Sequence, residues 1–287
     1  MSKHSQPPTA LFLVELGTEE LPPTALPKLS AAFAAELHAG LTQARLRIEA
    51  SQLECFASPR RLAVRIRDLP TLQPEQQIEK LGPAVAAALD KEGQPSKAAL
   101  GFARSNGVDF EQLERAETDK GERLCFRSTE AGRPAAELLA DIVSRALAAL
   151  PIPKRMRWGS SRVEFVRPVH WLLMLLGDDV VEGEVLGLRA ARTSYGHRFH
   201  APQAIEIQSP ATYEQQLGDA HVVASFEKRR EMIVQQVQAC AKSLGGNAVI
   251  EQDLLDEVTA LVERPVALAG AFDAAFLRVP HEALVYS

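Results

Sequence analysis

Positive charge is concentrated between residues 154 and 167, in a chain whose net charge is −5. Five cations in this segment are accompanied by a single acid, Glu164. They are Lys154, Arg155, Arg157, Arg162 and Arg167. Lysine and arginine side chains bind the phosphate backbone of nucleic acids without reading the base sequence. The spacing therefore predicts phosphate contacts by these residues, and a solvated basic face is the alternative interpretation.

Two histidines, His197 and His200, form an H-x-x-H spacing, and His170 lies elsewhere in the same half of the chain. Imidazoles are common metal ligands, but two at this spacing do not make up a zinc site. A turn with partly exposed imidazoles is the simpler interpretation. The sequence therefore predicts no metal site. A stand-alone hydrolase or metal enzyme built around His170, His197 and His200 is kept as an alternative function.

Motifs for nucleotide binding and nucleophilic catalysis are absent from the sequence. It contains neither a P-loop nor a G-x-G-x-x-G turn, and no serine or cysteine stands beside a recognisable base. Cys55 lies in an apolar strand pattern and is interpreted as a core residue. Glu19 and Glu20 follow Thr18, which predicts a capped helix start where carboxylates stabilise the macrodipole. We therefore expect no catalytic residue and no cofactor in this chain.

Bulk composition places the chain among globular proteins. Its 287 residues are enough for one large domain or two ordinary ones, and 46% are hydrophobic against 24% charged. The three cysteines form no C-x-x-C pair, which is typical of the reducing cytosol. The N-terminus lacks the apolar region of a signal peptide, and no apolar run is long enough for a membrane span. The sequence predicts a cytoplasmic protein without a membrane partner.

The elements of the first half predict an α+β fold. Residues 1–9 are polar and predict a disordered tail. The predicted strands and helices cover residues 11–16 (strand), 22–42 (helix), 53–56 and 62–69 (strands), 97–105 (helix capped by Ser96) and 134–150 (helix), with a hairpin turn at 119–121. In the strand over 62–69, apolar residues alternate with Ala63, Arg65 and Arg67. This alternation predicts one buried face and one basic face in contact with water.

The second half is richer in strand patterns. Pro151 and Pro153 end the preceding helix and predict a boundary between lobes at residues 10–150 and 151–287. The predicted elements are strands at 163–166, 169–176, 180–188, 204–207 and 265–271, and helices at 226–244 and 254–262. Met156 and Trp158 alternate as a buried strand face would. The fold class is therefore α+β, with two lobes of small mixed or antiparallel sheets and packed helices.

Several long motifs carry a resemblance to one family. They are LVELGTEELPP (13–23), ASPRRLAV (57–64), LPIPKRMRWG (150–159), FVRPVHWLLMLLG (165–177), YGHRF (195–199) and VPHEALVY (279–286). From residue 11 to residue 287 the chain resembles the beta subunit of the bacterial, heterotetrameric glycyl-tRNA synthetase. Because the family's subunit is more than twice this long, the resemblance implies an N-terminal portion without the HD-like and anticodon-binding domains.

The resemblance implies a noncatalytic role in the ATP-dependent attachment of glycine to its tRNA. In this family the alpha subunit holds the active site and uses ATP, so this chain alone should not activate glycine. The implied partners are the alpha subunit, in an alpha2beta2 assembly, and tRNA(Gly), with the five cations as tRNA-binding candidates. The second half faintly resembles the editing-type domain of the phenylalanyl-tRNA synthetase beta subunit. A protein–protein scaffold without RNA contact is the third function considered.

Overall fold

A computed structural model of the chain describes residues 8–89, 93–119 and 121–280. Its helices are α1 (Leu26–Gln43), α2 (Lys97–Ser105), α3 (Ala136–Ala148), α4 (Tyr213–Asp219), α5 (Phe226–Ser243) and α6 (Gln252–Leu261). Its strands are β1 (Thr9–Thr18), β2 (Leu53–Ser58), β3 (Arg61–Pro70), β4 (Gln76–Ala84), β5 (Glu114–Thr118), β6 (Gly121–Glu130), β7 (Met156–Arg157), β8 (Glu164–Phe165), β9 (Val169–Leu176), β10 (Asp179–Val180), β11 (Glu184–Val185), β12 (Leu188–Ala191), β13 (Thr193–Tyr195) and β14 (Ala204–Glu206).

The main sheet has the strand order β11-β12-β9-β1-β3-β2, and β10 pairs with β9 beside this path. Strand β1 is central and runs antiparallel to both β3 and β9, whereas β12 is parallel to β9. The mostly antiparallel pairing confirms the predicted α+β class. The sheet joins strands from before and after Leu150, and the lobe boundary at residues 150–153 stays a prediction.

Both faces of β1 are buried, which explains its uninterrupted apolar run. Phe12, Val14 and Leu16 alternate onto one face, where they pack in the core with α1 and α3. Leu13 points to the opposite face and packs with Tyr213 of α4 in a second core cluster. Each large apolar side chain fully buried in this way contributes about 1.5–3 kcal/mol to stability. The two cores fix the register of β1, because a one-residue slip would exchange its faces.

The second face of the sheet is covered rather than open to water. Ala63, on the face predicted to be basic and wet, is buried beneath the layer that contains α4. Arg65 reaches this layer, where it forms ion pairs with Glu54 and with Glu214 of α4. Only Arg67 matches the prediction, with a side chain 54% exposed. The prediction of a basic face in contact with water was therefore wrong for most of β3, because residues after 200 form a second layer over the sheet.

A small subdomain is inserted between β3 and α3. Its sheet has the order β4-β6-β5, and α2 packs on it through a small core that includes Ala99 and Leu124. The predicted cap of α2 is confirmed, since the Ser96 hydroxyl accepts a hydrogen bond from the Ala99 amide. The hairpin between β5 and β6 is also confirmed, and residue 120 of its turn lies outside the described residues.

The start of α1 differs from the prediction. Thr18 ends β1, and its amide donates to the Arg60 carbonyl, so it does not cap a helix. A turn then forms in which the Ala25 amide donates to the Pro22 carbonyl, and α1 begins at Leu26. Sheet pairing at Thr18 therefore prevailed over the local capping pattern. As a consequence, Glu19 and Glu20 lie in a loop and not at a helix N-terminus.

Other predicted elements change in extent. The strand predicted over 180–188 is divided into β10, β11 and the start of β12. The turn between β11 and β12 forms at Leu186 and Gly187, which both adopt positive φ. The strand predicted over 265–271 is absent from this described segment, and Leu268 is 88% exposed. The backbone of this segment forms hydrogen bonds with the Gln236 side chain of α5 and does not pair with a strand. Cys55, predicted to be a core residue, is exposed, so this prediction was wrong.

The ends of the chain are described only in part. Residues 1–7 and 281–287 lie outside the described residues, which includes most of the predicted tail and most of the motif at 279–286. Thr9 is already the first residue of β1. Within the described residues, none of the helices combines the length and apolar character needed to cross a bilayer.

Candidate functional site

The basic segment, residues 154–167, forms a two-stranded ribbon. Strand β7 pairs with β8, which places Met156 opposite Phe165 and Arg157 opposite Glu164. Phe165 is fully buried in the main core and anchors the ribbon, whereas Met156 is 38% exposed. The buried face predicted for Met156 and Trp158 is therefore wrong for Met156, although Trp158 packs partly against the core.

Three of the five candidate cations already have partners in the chain. Arg155 donates to the Ala148 carbonyl at 2.8 Å, and Arg167 donates to the Glu20 carbonyl at 3.1 Å. Arg157 forms a cross-strand ion pair with Glu164 at 2.5 Å. Lys154 and Arg162 are exposed, and within the described residues neither forms an ion pair or a side-chain hydrogen bond. The tRNA-binding role of the five stays a prediction, with Lys154 and Arg162 the two most available.

A second site was not predicted. Five residues line an open cleft of about 340 Å³, here called the charged cleft. They are Glu19, Arg60, His170, Trp171 and Tyr195. The end of β1, the turn between β2 and β3, the start of β9 and the end of β13 supply these side chains. Four of the motifs identified in the sequence therefore meet at this place.

Glu19 is the most strongly bonded group at the rim of the charged cleft. Its carboxylate contacts Arg198 at 2.6 Å and His170 at 2.7 Å. The other terminal nitrogen of Arg198 binds Glu20 at 2.7 Å. The hydrogen bond from Arg198, reinforced by His170, outweighs partial burial and lowers the pKa of Glu19 below its usual value. Glu19 and Glu20 are thus held in place by ion pairs, and not by capping of a helix.

The lowered pKa of Glu19 makes stability depend on pH. A depressed folded-state pKa stabilises the fold above the unfolded pKa, and this contribution is lost as pH falls through the folded pKa. The Glu19 side chain is 37% exposed, so solvent screening limits the effect. We expect Glu19→Gln to lower the free energy of unfolding by under about 1 kcal/mol at neutral pH. In urea titrations the difference from wild type should shrink as the pH falls through the lowered pKa of Glu19. A difference that grew on acidification would contradict this assignment.

Beneath the charged cleft lies a fully buried acid, Glu15. The Trp171 indole and the Ser194 hydroxyl donate to one of its carboxylate oxygens, each at 2.5 Å, and the Tyr213 hydroxyl donates to the other. Burial, and then the Glu15 charge, raise the pKa of Tyr213 well above its usual value, so this hydroxyl stays protonated and donates. These groups satisfy a carboxylate in the middle of a sheet, where it would otherwise be costly.

Arg61, also fully buried, provides the countercharge. Its guanidinium lies 3.6 Å from the Glu15 carboxylate and 3.2 Å from that of Glu263, and it donates to the Tyr195 carbonyl at 3.0 Å. Burial opposes the charged form of Arg61, but the carboxylates of Glu15 and Glu263 outweigh it and raise its pKa. The group joins β1, β3, β13 and the segment after α6, which fixes the shape of the cleft floor.

Trp171 forms one wall of the cleft because glycine faces it. Gly17 and Trp171 are paired across β1 and β9, and the indole lies directly over the glycine. A Cβ added at Gly17 would lie 1.9 Å from the indole ring. The ring is further surrounded by the guanidinium groups of Arg60 and Arg61, at 5.6 and 5.8 Å from its centroid. Such contacts favour a cation over an aromatic face.

The three histidines considered as metal ligands are divided between two surroundings. His170 is bonded to Glu19, whereas the rings of His197 and His200 lie 4.5 Å apart. Burial is the main cause of a lowered pKa at His197, which favours its neutral form. Over the part of the chain that the structure describes, no group of three or more metal-ligating side chains is suitably placed.

Sequence reasoning missed Glu15, Arg60, Arg61 and Glu263. One signal was available: Glu15 interrupts an otherwise apolar buried strand, where an acid is expensive without partners. Those partners could not be read from spacing, because they lie up to 198 residues away along the chain.

Comparison with known proteins assigns the family. The family model described as glycyl-tRNA synthetase beta subunit matches residues 12–287. Glycine–tRNA ligase beta subunits from Hahella chejuensis and Marinobacter nauticus are 53% and 54% identical to the chain, each over 96% of it and 40% of the relative. The corresponding protein of Haemophilus influenzae is 53% identical over 97% of the chain and 38% of its own length. The chain thus spans about 40% of the length of these curated relatives. On this evidence the chain belongs to the glycyl-tRNA synthetase beta subunit family.

Proposed function

We propose that this chain supports glycyl-tRNA synthesis as a noncatalytic part of a ligase beta subunit. The match of residues 12–287 to the beta subunit family carries the proposal. The name of the relatives supports an alpha subunit as partner, and we extend this to an alpha2beta2 assembly in the cytoplasm. In this assembly the alpha subunit binds ATP and forms the glycyl-adenylate, while the beta subunit contributes to assembly and to binding of tRNA(Gly).

The basic ribbon is the proposed tRNA contact within this chain. Lys154 and Arg162 lie at the base and in the loop of the β7–β8 ribbon, and both are exposed. Two exposed cations without a partner in the described structure can bind phosphates without first breaking an ion pair. Arg157 would have to break its ion pair with Glu164 before it could bind a phosphate. The new contact would then have to be more favourable than the ion pair that is lost. We therefore expect Lys154 and Arg162 to contribute more to tRNA affinity than the other three candidates.

The salt dependence of tRNA binding tests this proposal. The chain, assembled with the alpha subunit, is compared with the double variant Lys154→Gln/Arg162→Gln over a range of salt concentrations. Loss of two phosphate contacts should weaken binding and flatten the slope of log K against log salt by about 1.8 on the duplex estimate. A filter-binding or fluorescence-anisotropy titration measures both quantities.

A matched control removes two exposed cations elsewhere, Lys28 of α1 and Lys242 of α5. The Lys28→Gln/Lys242→Gln variant changes the net charge equally and should leave the slope close to that of wild type. If both double variants lower affinity to the same extent, the effect is one of net charge and the ribbon is not a contact. If tRNA binding is indifferent to all four substitutions, a scaffold function without RNA contact is favoured for this segment.

A further inference from the structure

Arg60, on the wall of the charged cleft, is a cation for which the described residues supply no acceptor. Its Nε is buried and forms no hydrogen bond, and within the described residues its guanidinium forms no ion pair. Burial, and then the charge of Arg198, lower the pKa of this side chain, so its surroundings disfavour the cation. Buried donors almost always have a partner in folded proteins, and each exception calls for an explanation.

The acids near Arg60 are already bonded to other groups. Glu19 is held by His170 and Arg198, and Glu20 by Arg198. Glu263 forms its ion pair with Arg61. None of these carboxylates is within ion-pair distance of Arg60, although Glu263 and then Glu20 favour its charged form from farther away. The guanidinium therefore keeps its hydrogen-bonding capacity for a group outside the described part of the chain.

The position of Arg60 is fixed before any ligand arrives. Its carbonyl accepts a hydrogen bond from the Thr18 amide at 2.8 Å, and the Pro59 carbonyl accepts one from Leu21 at 2.7 Å. These bonds tie the turn between β2 and β3 to the end of β1. The guanidinium is held near the Trp171 ring, at 5.6 Å from its centroid. A preorganised arginine fork is suited to two parallel hydrogen bonds with a carboxylate or a phosphate.

We propose that the charged cleft binds a small oxyanion through Arg60. The volume of about 340 Å³ is at the lower end of the range for small-molecule sites. Trp171 and Tyr195 provide apolar walls, and the Glu19 carboxylate lines the same cleft. Because two cations hold Glu19, its remaining lone pairs can accept from a donor on the ligand. The ligand class is therefore a carboxylate or phosphate that also carries an amino or hydroxyl group.

Nuclear magnetic resonance of the indole groups tests this proposal on the whole chain. The two tryptophans, Trp158 and Trp171, give two indole N–H signals, which Trp158→Phe distinguishes. Sodium phosphate and glycine are titrated separately at constant ionic strength. We expect a saturable shift of the Trp171 signal with at least one probe. Saturation by phosphate alone indicates a phosphate ligand, saturation by glycine alone an amino-bearing carboxylate, and competition between them a shared oxyanion site.

Substitution of Arg60 provides the control. Arg60→Gln should weaken binding of the active probe by about tenfold or more, because a charge-assisted contact is lost. Its urea midpoint should fall only slightly, since within the described residues this side chain has no hydrogen bond or ion pair and loses only its contact with the Trp171 ring. Arg60→Lys, which keeps the charge without the planar fork, should weaken binding less, and Lys28→Gln, at an exposed lysine of α1, should leave it unchanged. Failure of both probes to saturate by about 50 mM, or affinity unchanged in Arg60→Gln, would overturn the proposal.

Discussion

Replacing Glu15 with alanine is expected to lower the free energy of unfolding by about 3–5 kcal/mol, the range measured when one partner of a buried ion pair is removed. The substitution leaves Arg61 buried with a single counterion and removes the acceptor from three buried donors. Those donors are the Trp171 indole and the hydroxyls of Ser194 and Tyr213. Urea denaturation followed by circular dichroism measures the change.

An exposed glutamate controls for the loss of a negative charge. Glu36 lies on the exposed side of α1, and Glu36→Ala should change stability by no more than about 0.5 kcal/mol. The conservative variant Glu15→Gln retains an acceptor and should fall between Glu15→Ala and wild type. A loss of less than about 1 kcal/mol in Glu15→Ala would mean that these hydrogen bonds do not carry the stability assigned to them.

The second large effect is expected at Gly17. A methyl group there would lie 1.9 Å from the Trp171 ring, well inside van der Waals contact. The indole cannot move aside without disturbing its hydrogen bond to Glu15. We expect Gly17→Ala to lower the free energy of unfolding by about 3 kcal/mol, at the upper end of the usual cost of overpacking. The Trp171 indole signal should shift in the same variant.

A second glycine supplies a control of opposite sign. Gly101 lies within α2, and a Cβ added there would have no neighbour within 4 Å. Gly101→Ala should therefore raise stability by about 0.5–1 kcal/mol, because alanine has the higher helix propensity. If Gly17→Ala were as stable as wild type, the indole of Trp171 would not pack against Gly17 as closely as described.

Local patterns were sufficient to predict the elements whose periodicity is strong. The strand over residues 169–176 and the helix over 226–244 were predicted to within one residue of β9 and α5. Predictions from local patterns failed where a long-range contact competed with a local one. Thr18 has the residue type of a cap, but its amide pairs with the Arg60 carbonyl. The apolar run at 265–271 resembles a buried strand, yet its polar contacts are made to Gln236.

The charged cleft illustrates a second limit. Its residues belong to motifs that were recognised as strings, while their chemistry arises only when four segments meet. Arg60 lies between two predicted strands, and nothing in its neighbours along the chain indicates that the nearby acids would bind other cations. The basic ribbon, by contrast, is local and was visible at once as a charge excess. Half-buried arginines bonded to carbonyls, such as Arg155, cannot be told from free ones by composition.

The central place of β1 has a consequence for synthesis on the ribosome. Its partner β3 emerges soon after it, but its other partner, β9, begins only at Val169. At 5–20 residues per second, one edge of β1 stays unpaired for about 10–30 s. An unpaired apolar edge is a template for wrong association during that interval. The nascent chain is thus most in need of chaperone protection before β9 has been synthesised, and an early stall should favour aggregation over folding.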